Sequence, residues 1–284
     1  MLGCGFLWTY FPHWVDVRYW NDNSLMENWN NDDLLRKLIE KTYTFCLKHE
    51  GGVWSTNRIR QNAKVFLNKQ CVSNFRPTVA KLIYNLYGNN GVVWDMCSGF
   101  GGRLFGFLAS NCTHYIGTDP STKTFEGLLQ IKEDYAKVNK EVTLYKMGSE
   151  DFIPEKGSLD LCFTSPPYFN TEVYSNEETQ SCNKYHSGDS WVSGYLKKTL
   201  ENCFYGLKEK GVLVVNIANV ATFKNLQNKF LDTCDRTGFY LVETLQMEMS
   251  SISGNRRKLE PVYVLTKDGC NHKKKLYIPV DLWR

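Results

Sequence analysis

Gly91-Val92-Val93-Trp94-Asp95-Met96-Cys97-Ser98-Gly99-Phe100-Gly101-Gly102-Arg103 is the stretch that decides the fold. A short apolar run ends in an acid, and glycines follow four, six and seven positions later. That pattern describes a buried strand opening into a loop whose backbone can approach a ligand closely. The third position of a dinucleotide-binding G-x-G-x-x-G falls on Leu104, so that fingerprint is broken. The next apolar run, Tyr115-Ile116-Gly117-Thr118, ends in Asp119, an acid placed to accept hydrogen bonds from ribose hydroxyls. Both signals fit a nucleoside-bearing cofactor that is not a dinucleotide.

Outward from this unit, strands are predicted at 91–95, 114–119, 142–147, 160–164 and 211–217, alternating with helical patterns. This alternation marks a doubly wound α/β sheet. Pro77 stands at a plausible first helical position, and Ala80, Ile83 and Tyr87 share one face of that helix. From Trp191, apolar residues recur at Tyr195, Leu196, Leu200, Cys203, Phe204 and Leu207 with a helical period. Val212-Leu213-Val214-Val215 suits a buried central strand, and a further helix is expected from Phe223 to Asp235, stopping near Gly238. Tyr240–Met247 and Pro261–Leu265, joined by a polar segment, read as a terminal antiparallel hairpin.

Leu161-Cys162-Phe163-Thr164-Ser165-Pro166-Pro167-Tyr168-Phe169 is an apolar strand that stops in a polar-Pro-Pro-aromatic turn. Two prolines fix two φ angles and remove two N–H donors, leaving a stiff turn whose carbonyls have fewer internal partners. Free oxygens beside an aromatic face suit a planar base with an exocyclic amine. The amine donates to the oxygens and the ring stacks on Tyr168. A Pro-Pro loop that merely ends a strand is the ordinary alternative.

In order and spacing the two motifs resemble the S-adenosylmethionine-dependent amino-methyltransferases of DNA. That family pairs an Asp-x-x-x-Gly-x-Gly loop with an Asp/Asn/Ser-Pro-Pro-Tyr/Phe/Trp loop. The resemblance covers roughly Asn74 to Lys267. It implies a mostly parallel seven-stranded sheet of the Rossmann-like, class I methyltransferase kind. By the same resemblance Asp95, Cys97, Ser98, Gly99 and Gly101 bind the methionine part of the cofactor, and Asp119 its ribose. Glu150 or Asp151 lies near the adenine, although the usual spacing is not obvious there. Arg76, within Phe75-Arg76-Pro77, resembles the segment that closes over the methionine end. Ser165, Pro166, Pro167 and Tyr168 hold the target amine, and Phe169 extends the stack or faces the core.

The chemistry follows from an absence as well. Carbon methylation of cytosine uses a Pro-Cys thiolate, and this chain has no Pro-Cys pair. Direct attack of an exocyclic amine on the sulfonium methyl is the alternative, with the base flipped out of the duplex. Asp or Asn at the first motif position is typical of adenine enzymes, whereas Ser165 favours N4 of cytosine. N6 of adenine, an RNA or tRNA amine, and a binding protein with a retired site stay open. A NAD-dependent oxidoreductase leaves Ser165–Tyr168 without a role.

Composition sets the remaining bounds. The 284 residues carry a net charge of +4 with 42% hydrophobic residues. No apolar run approaches the roughly 18 residues that cross a bilayer. Met1–Tyr10 lacks a basic start, so it is expected as a strand or cap on the core rather than a signal peptide. Ten cysteines contain no C-x-x-C spacing, which favours reduced, buried thiols in a cytoplasmic protein over disulfides or a metal.

Charge is unevenly spread. Between Gly51 and Trp94 there are six basic residues, among them Arg58 and Arg60, and no acid. Between Ser251 and Lys275 seven basic residues, including Arg256, Arg257 and Lys258, face two acids. Such segments beside a base pocket are the footprint of a phosphate-binding surface, here duplex DNA. The segment after the Pro-Pro turn, Asn170–Asp189, is too short for a separate recognition domain. Residues 1–70 form an aromatic-rich cap or extension, ahead of a methyltransferase domain over 71–284. Trp8, Trp14, Trp20, Trp29 and Trp54 crowd that first part, either as packing or as a nucleic-acid surface.

Overall fold

A computed structural model describes residues 4–20, 22–49, 51–52, 54–67, 72–136, 140–249 and 258–273. Its main sheet has seven strands: β1 (Val92–Asp95), β2 (His114–Thr118), β3 (Glu141–Tyr145), β4 (Leu159–Thr164), β5 (Leu207–Asn216), β6 (Tyr240–Met249) and β7 (Lys258–Thr266). They lie in the order β3-β2-β1-β4-β5-β7-β6. The first five pair in parallel; β7 runs antiparallel to β5 and pairs antiparallel with β6. The architecture is the expected α/β sheet, mostly parallel and ending in an antiparallel hairpin.

Side-chain alternation explains why both faces are covered. Val93, Leu161, Phe163, Val212 and Val214 enter one core, while Trp94, Cys162, Leu213 and Val215 enter the other. Strands apolar on both sides need helices on both sides. On the first face lie α3 (Pro77–Tyr87), α4 (Gly102–Leu108) and α5 (Thr122–Tyr135), following α1 (Asp32–His49) and α2 (Thr56–Phe66) of the N-terminal part. Helix α3 starts at Pro77 and buries Ala80, Ile83 and Tyr87 as the spacing predicts. On the second face lie α6 (Lys197–Gly206) and α7 (Leu226–Thr237). The latter stops at Gly238, whose φ of 102° is the left-handed cap glycine adopts without strain.

Three local readings change. Helix α7 starts at Leu226 rather than Phe223, because Val220 and Phe223 close a bridge on each other first. The helical stretch before β5 is not a continuous α-helix: Val192–Leu196 forms a π-helical turn between Gly188–Trp191 and α6. There a Cβ on Gly194 would come within 2.1 Å of the Tyr185 ring. The N-terminal start is a cap rather than a strand: Cys4–Leu7 is a helical turn, and Leu7 and Phe11 are buried in the first core.

The N-terminal part is tied to the rest by a short ladder, Arg18–Tyr19 against Glu172–Val173. Helices α1 and α2 add a small core of Leu25, Leu38 and Ala63. No helix among the described residues is long and apolar enough to cross a membrane. The eight described cysteines are free, and five of them are buried.

Candidate active site

The strand order reverses between β1 and β4, since the chain runs outward to β3 and then returns to build β4 and β5. Carboxyl ends of strands at such a reversal leave a crevice. Here it is a cavity of about 460 Å³, walled by the loops after β1, β2, β3, β4 and β5.

The loop after β1 is shaped by left-handed glycines, Gly99 at φ 54° and Gly101 at φ 71°. Gly99 offers its N–H to Asp119 Oδ2 at 2.9 Å, and Ser121 offers its own to Oδ1 at 3.1 Å. Burial pushes the Asp119 carboxyl up to about 6, against those two amide bonds, which favour the charged form. Cys97, Ser98, Gly99 and Asp119 all line the cavity. Gly101 does not; a Cβ there would lie 2.7 Å from Ile131 Cδ1, so it serves packing.

Asp95 also differs from its expected role, because it is fully buried away from the cavity wall. Its oxygens accept from Arg103 Nε at 3.0 and 2.9 Å, from Tyr115 at 2.8 Å and from Thr164 at 3.2 Å. The carboxylate is thus committed to a buried ion pair that joins the glycine loop to β2 and β4. Arg103 further donates to the Cys97 carbonyl and lies 5.5 Å from the centre of the Phe75 ring. Asn74 Nδ2 bonds the Phe100 carbonyl at 2.6 Å, so the segment holding Arg76 packs directly on the loop. Arg76 itself lines the cavity.

After β3, Glu150 lines the cavity and Asp151 does not. Lys184 bridges both, with Nζ 2.9 Å from Glu150 Oε1 and 2.6 Å from Asp151 Oδ2. The buried Glu150 Oε2 has no partner among the described residues. A buried acceptor left open costs about 1–3 kcal/mol, which a ligand donor recovers.

Ser165, Pro166, Pro167 and Tyr168 bring the β4 loop to the same cavity. Ser165 Oγ donates to Asn216 Oδ1 at 3.3 Å, and the Tyr168 hydroxyl donates to the Asn216 carbonyl at 3.3 Å. Asn216 Nδ2 is in turn anchored on the Pro261 carbonyl at 3.0 Å. Among the described residues the Pro166 carbonyl accepts no hydrogen bond. Phe169 leaves the loop with a left-handed φ of 56° and packs in the second core against Trp191 and Phe223, away from the cavity.

The segment after this loop packs back against the cavity walls. Glu177 accepts from the Thr122 N–H and hydroxyl at 3.0 and 2.9 Å, and Thr171 meets Thr222 at 2.6 Å. Several residues not expected at the site join the walls: Glu172, Tyr174, Tyr195, Asn216 and Glu260. Asn216 was detectable, being a polar residue at the end of an apolar strand, as Asp119 is. Tyr195 enters through the π-helical turn and meets Cys97 Sγ at 2.8 Å.

Neither Arg58 nor Arg60 lines the cavity. Arg58 lies in α2 over the Phe45 ring, and Arg60 is exposed on the same helix. Arg256 and Arg257 lie outside the described residues, as does the Lys258 side chain, whose backbone opens β7. Of the tryptophans, Trp8 and Trp14 pack together under Lys64, whereas Trp20, Trp29 and Trp54 are exposed.

Residues 159–281 match the model of the N6/N4 methyltransferase family, described as DNA methylase. The match supports an amino-methyltransferase of the N4/N6 type with S-adenosylmethionine as its cofactor. No curated protein matches the chain. Similar solved structures include M. jannaschii TYW2 in complex with AdoMet, at 14% identity over 69% of this chain and 77% of that one, TM-score 0.43. A TehB-like SAM-dependent methyltransferase from Corynebacterium glutamicum shares 16% identity over 74% and 95%, TM-score 0.44. A SAM-dependent O-methyltransferase from Thermotoga maritima shares 11% over 72% and 70%, TM-score 0.46.

Proposed function

We propose that this methyltransferase acts on the exocyclic amine of a flipped base in DNA, with N4 of cytosine as the target. One observation carries the reading: Ser165 and Tyr168, both tethered to Asn216, open on the same cavity as Asp119 and Glu150. Cofactor and amine sites are thereby contiguous, as a direct transfer requires.

The residues present fit the cofactor. Asp119 is a buried acceptor for ribose hydroxyls, the open Glu150 Oε2 is an acceptor for a base amine, and the Gly99 loop admits close approach. S-adenosylmethionine supplies an electrophilic methyl on a sulfonium. Toward it, Ser165 Oγ and the Pro166 carbonyl accept the two N–H bonds of the amine. Holding both hydrogens favours a pyramidal nitrogen, so these bonds strengthen as charge develops. Tyr168 stacks on the base, offsetting part of the few kcal/mol lost on flipping it. Its hydroxyl bond to Asn216 holds the ring in place.

Side-by-side single-turnover transfer to DNA and to RNA of the same sequence tests the reading. Transfer to DNA alone supports it, and transfer to RNA alone replaces it with an RNA amine substrate.

A further inference from the structure

Resting on the amine-transfer reading, we propose that Glu172 accepts the proton that the methylated amine releases. The need for such a group comes from Ser165. An amine that gains a methyl becomes cationic, and a serine at the head of the motif is neutral and carries no charge to offset it. Among the described residues four carboxylates line the cavity: Asp119, Glu150, Glu172 and Glu260. Asp119 is engaged by the Gly99 and Ser121 amides and Glu150 by Lys184, both on the side of the glycine loop.

Glu172 is differently placed. Its backbone is fixed by the ladder to Tyr19 and by Gln180 Nε2, which donates to its carbonyl at 3.2 Å. Its Oε2 accepts from the Tyr174 hydroxyl, and Oε1 has no hydrogen-bond partner among the described residues. One oxygen is therefore held and the other is available.

The titratable groups around it are Tyr174, Tyr168 from the β4 loop, Tyr19 across the ladder and Glu260 from β7. Asp119 lies beyond Tyr174, and the arginines on the cavity wall are Arg76 and Arg103, the latter paired with Asp95. Burial raises the Glu172 carboxyl above its ordinary range, the Tyr174 bond opposes this and the Glu260 charge adds to it. A proton acceptor works best when poised toward the working pH.

The step balances. The nitrogen lone pair forms the N–C bond as the methyl–sulfur bond breaks, and sulfur keeps the electron pair as a neutral thioether. Once the methyl is transferred, one N–H leaves its acceptor, Ser165 Oγ or the Pro166 carbonyl, and its proton passes to Glu172 Oε1, leaving a neutral methylated amine and a neutral carboxyl. The carboxyl returns its proton to water once product leaves.

The test is single-turnover transfer to duplex DNA across pH at saturating cofactor, for wild type, Glu172→Gln and Glu260→Gln. Glu172→Gln is expected to lower the rate about 100-fold, the lower end for a positioned proton acceptor. It should also lose the acid limb of the pH profile while cofactor affinity by calorimetry stays within twofold. Glu260→Gln removes a like charge, so its acid limb is expected to keep its shape and move to lower pH. A Glu172→Gln rate within threefold of wild type, or an unchanged profile, overturns the proposal while leaving amine transfer standing. Should Glu172→Gln fail to fold, an unmoved limb in Glu260→Gln overturns it equally. Wild type that transfers to no base removes the amine-transfer reading and this proposal with it.

Discussion

Ser165 and Asn216 face each other across 3.3 Å at the carboxyl ends of the adjacent parallel strands β4 and β5. The same asparagine accepts the Tyr168 hydroxyl through its carbonyl, so one residue of β5 sets two of the β4 loop. Asn216→Ala is therefore expected to reduce single-turnover transfer, as Ser165→Ala is, with little change in cofactor affinity. Because the two act as a unit, the double mutant should fall well short of the summed effects. Additive losses in a double-mutant cycle would show that Asn216 does not act through Ser165.

Asp119 links cofactor affinity to acidity. Asp119→Ala is expected to weaken S-adenosylmethionine binding by about 1.5–3 kcal/mol, as for a lost charge-assisted hydrogen bond. In wild type, affinity should decline as pH falls through about 6, where the buried carboxyl takes up its proton. Calorimetry between pH 5 and pH 8 (roughly one unit below Asp119 to well above it) reads both effects.

The same carboxyl costs stability at neutral pH. Its folded pKa is raised, so its stabilising contribution is present below the unfolded value of 3.8 and lost as pH rises through about 6. Asp119→Asn has no such loss. Relative to wild type it should gain on the order of 3 kcal/mol between pH 3 and pH 7, from about two pKa units. Denaturant titrations at the two pH values check this; parallel wild-type and mutant curves would contradict it.

Asp95 is fully buried and Arg103 nearly so, and neither is expected to tolerate removal of the other. Arg103→Met should destabilise the fold by about 3–5 kcal/mol, the range for breaking a buried ion pair. Chemical denaturation that moves by less than 1 kcal/mol (roughly a surface pair) would show water reaching Asp95.

The sheet was legible because its signals are local. Unbroken apolar runs in Leu161–Phe163 and Val212–Val215, glycines at 99 and 101 and the proline opening α3 each act within a few residues. The site was legible only in part. Asp95 and Asp119 both end apolar strands, and sequence does not say which one a buried arginine will claim. Arg103 decided that through tertiary packing. Phe169 follows Tyr168 directly, yet its left-handed backbone turns its ring into the second core, away from the cavity that Tyr168 lines. Glu172 and Glu260 come from the post-catalytic segment and the terminal hairpin, and only the folded sheet puts them on one cavity.

Charge on the segment before β7 bears on nucleic-acid binding from sequence alone. If Arg256, Arg257 and Lys258 contact phosphates, neutralising all three should change the slope of log K against log salt by roughly 2.7. Cofactor affinity should not move. An unchanged slope would shift the phosphate contacts to Arg58, Arg60 and Lys64.

The most direct measurement is nucleoside mass spectrometry after incubating the protein with labelled S-adenosylmethionine and duplex DNA of mixed sequence. The expected product is N4-methylcytosine, carrying the label, and formed far more slowly with Ser165→Ala. N6-methyladenine in its place would contradict the cytosine assignment. No labelled nucleoside from DNA, with label recovered from RNA treated in parallel, would contradict DNA as the substrate.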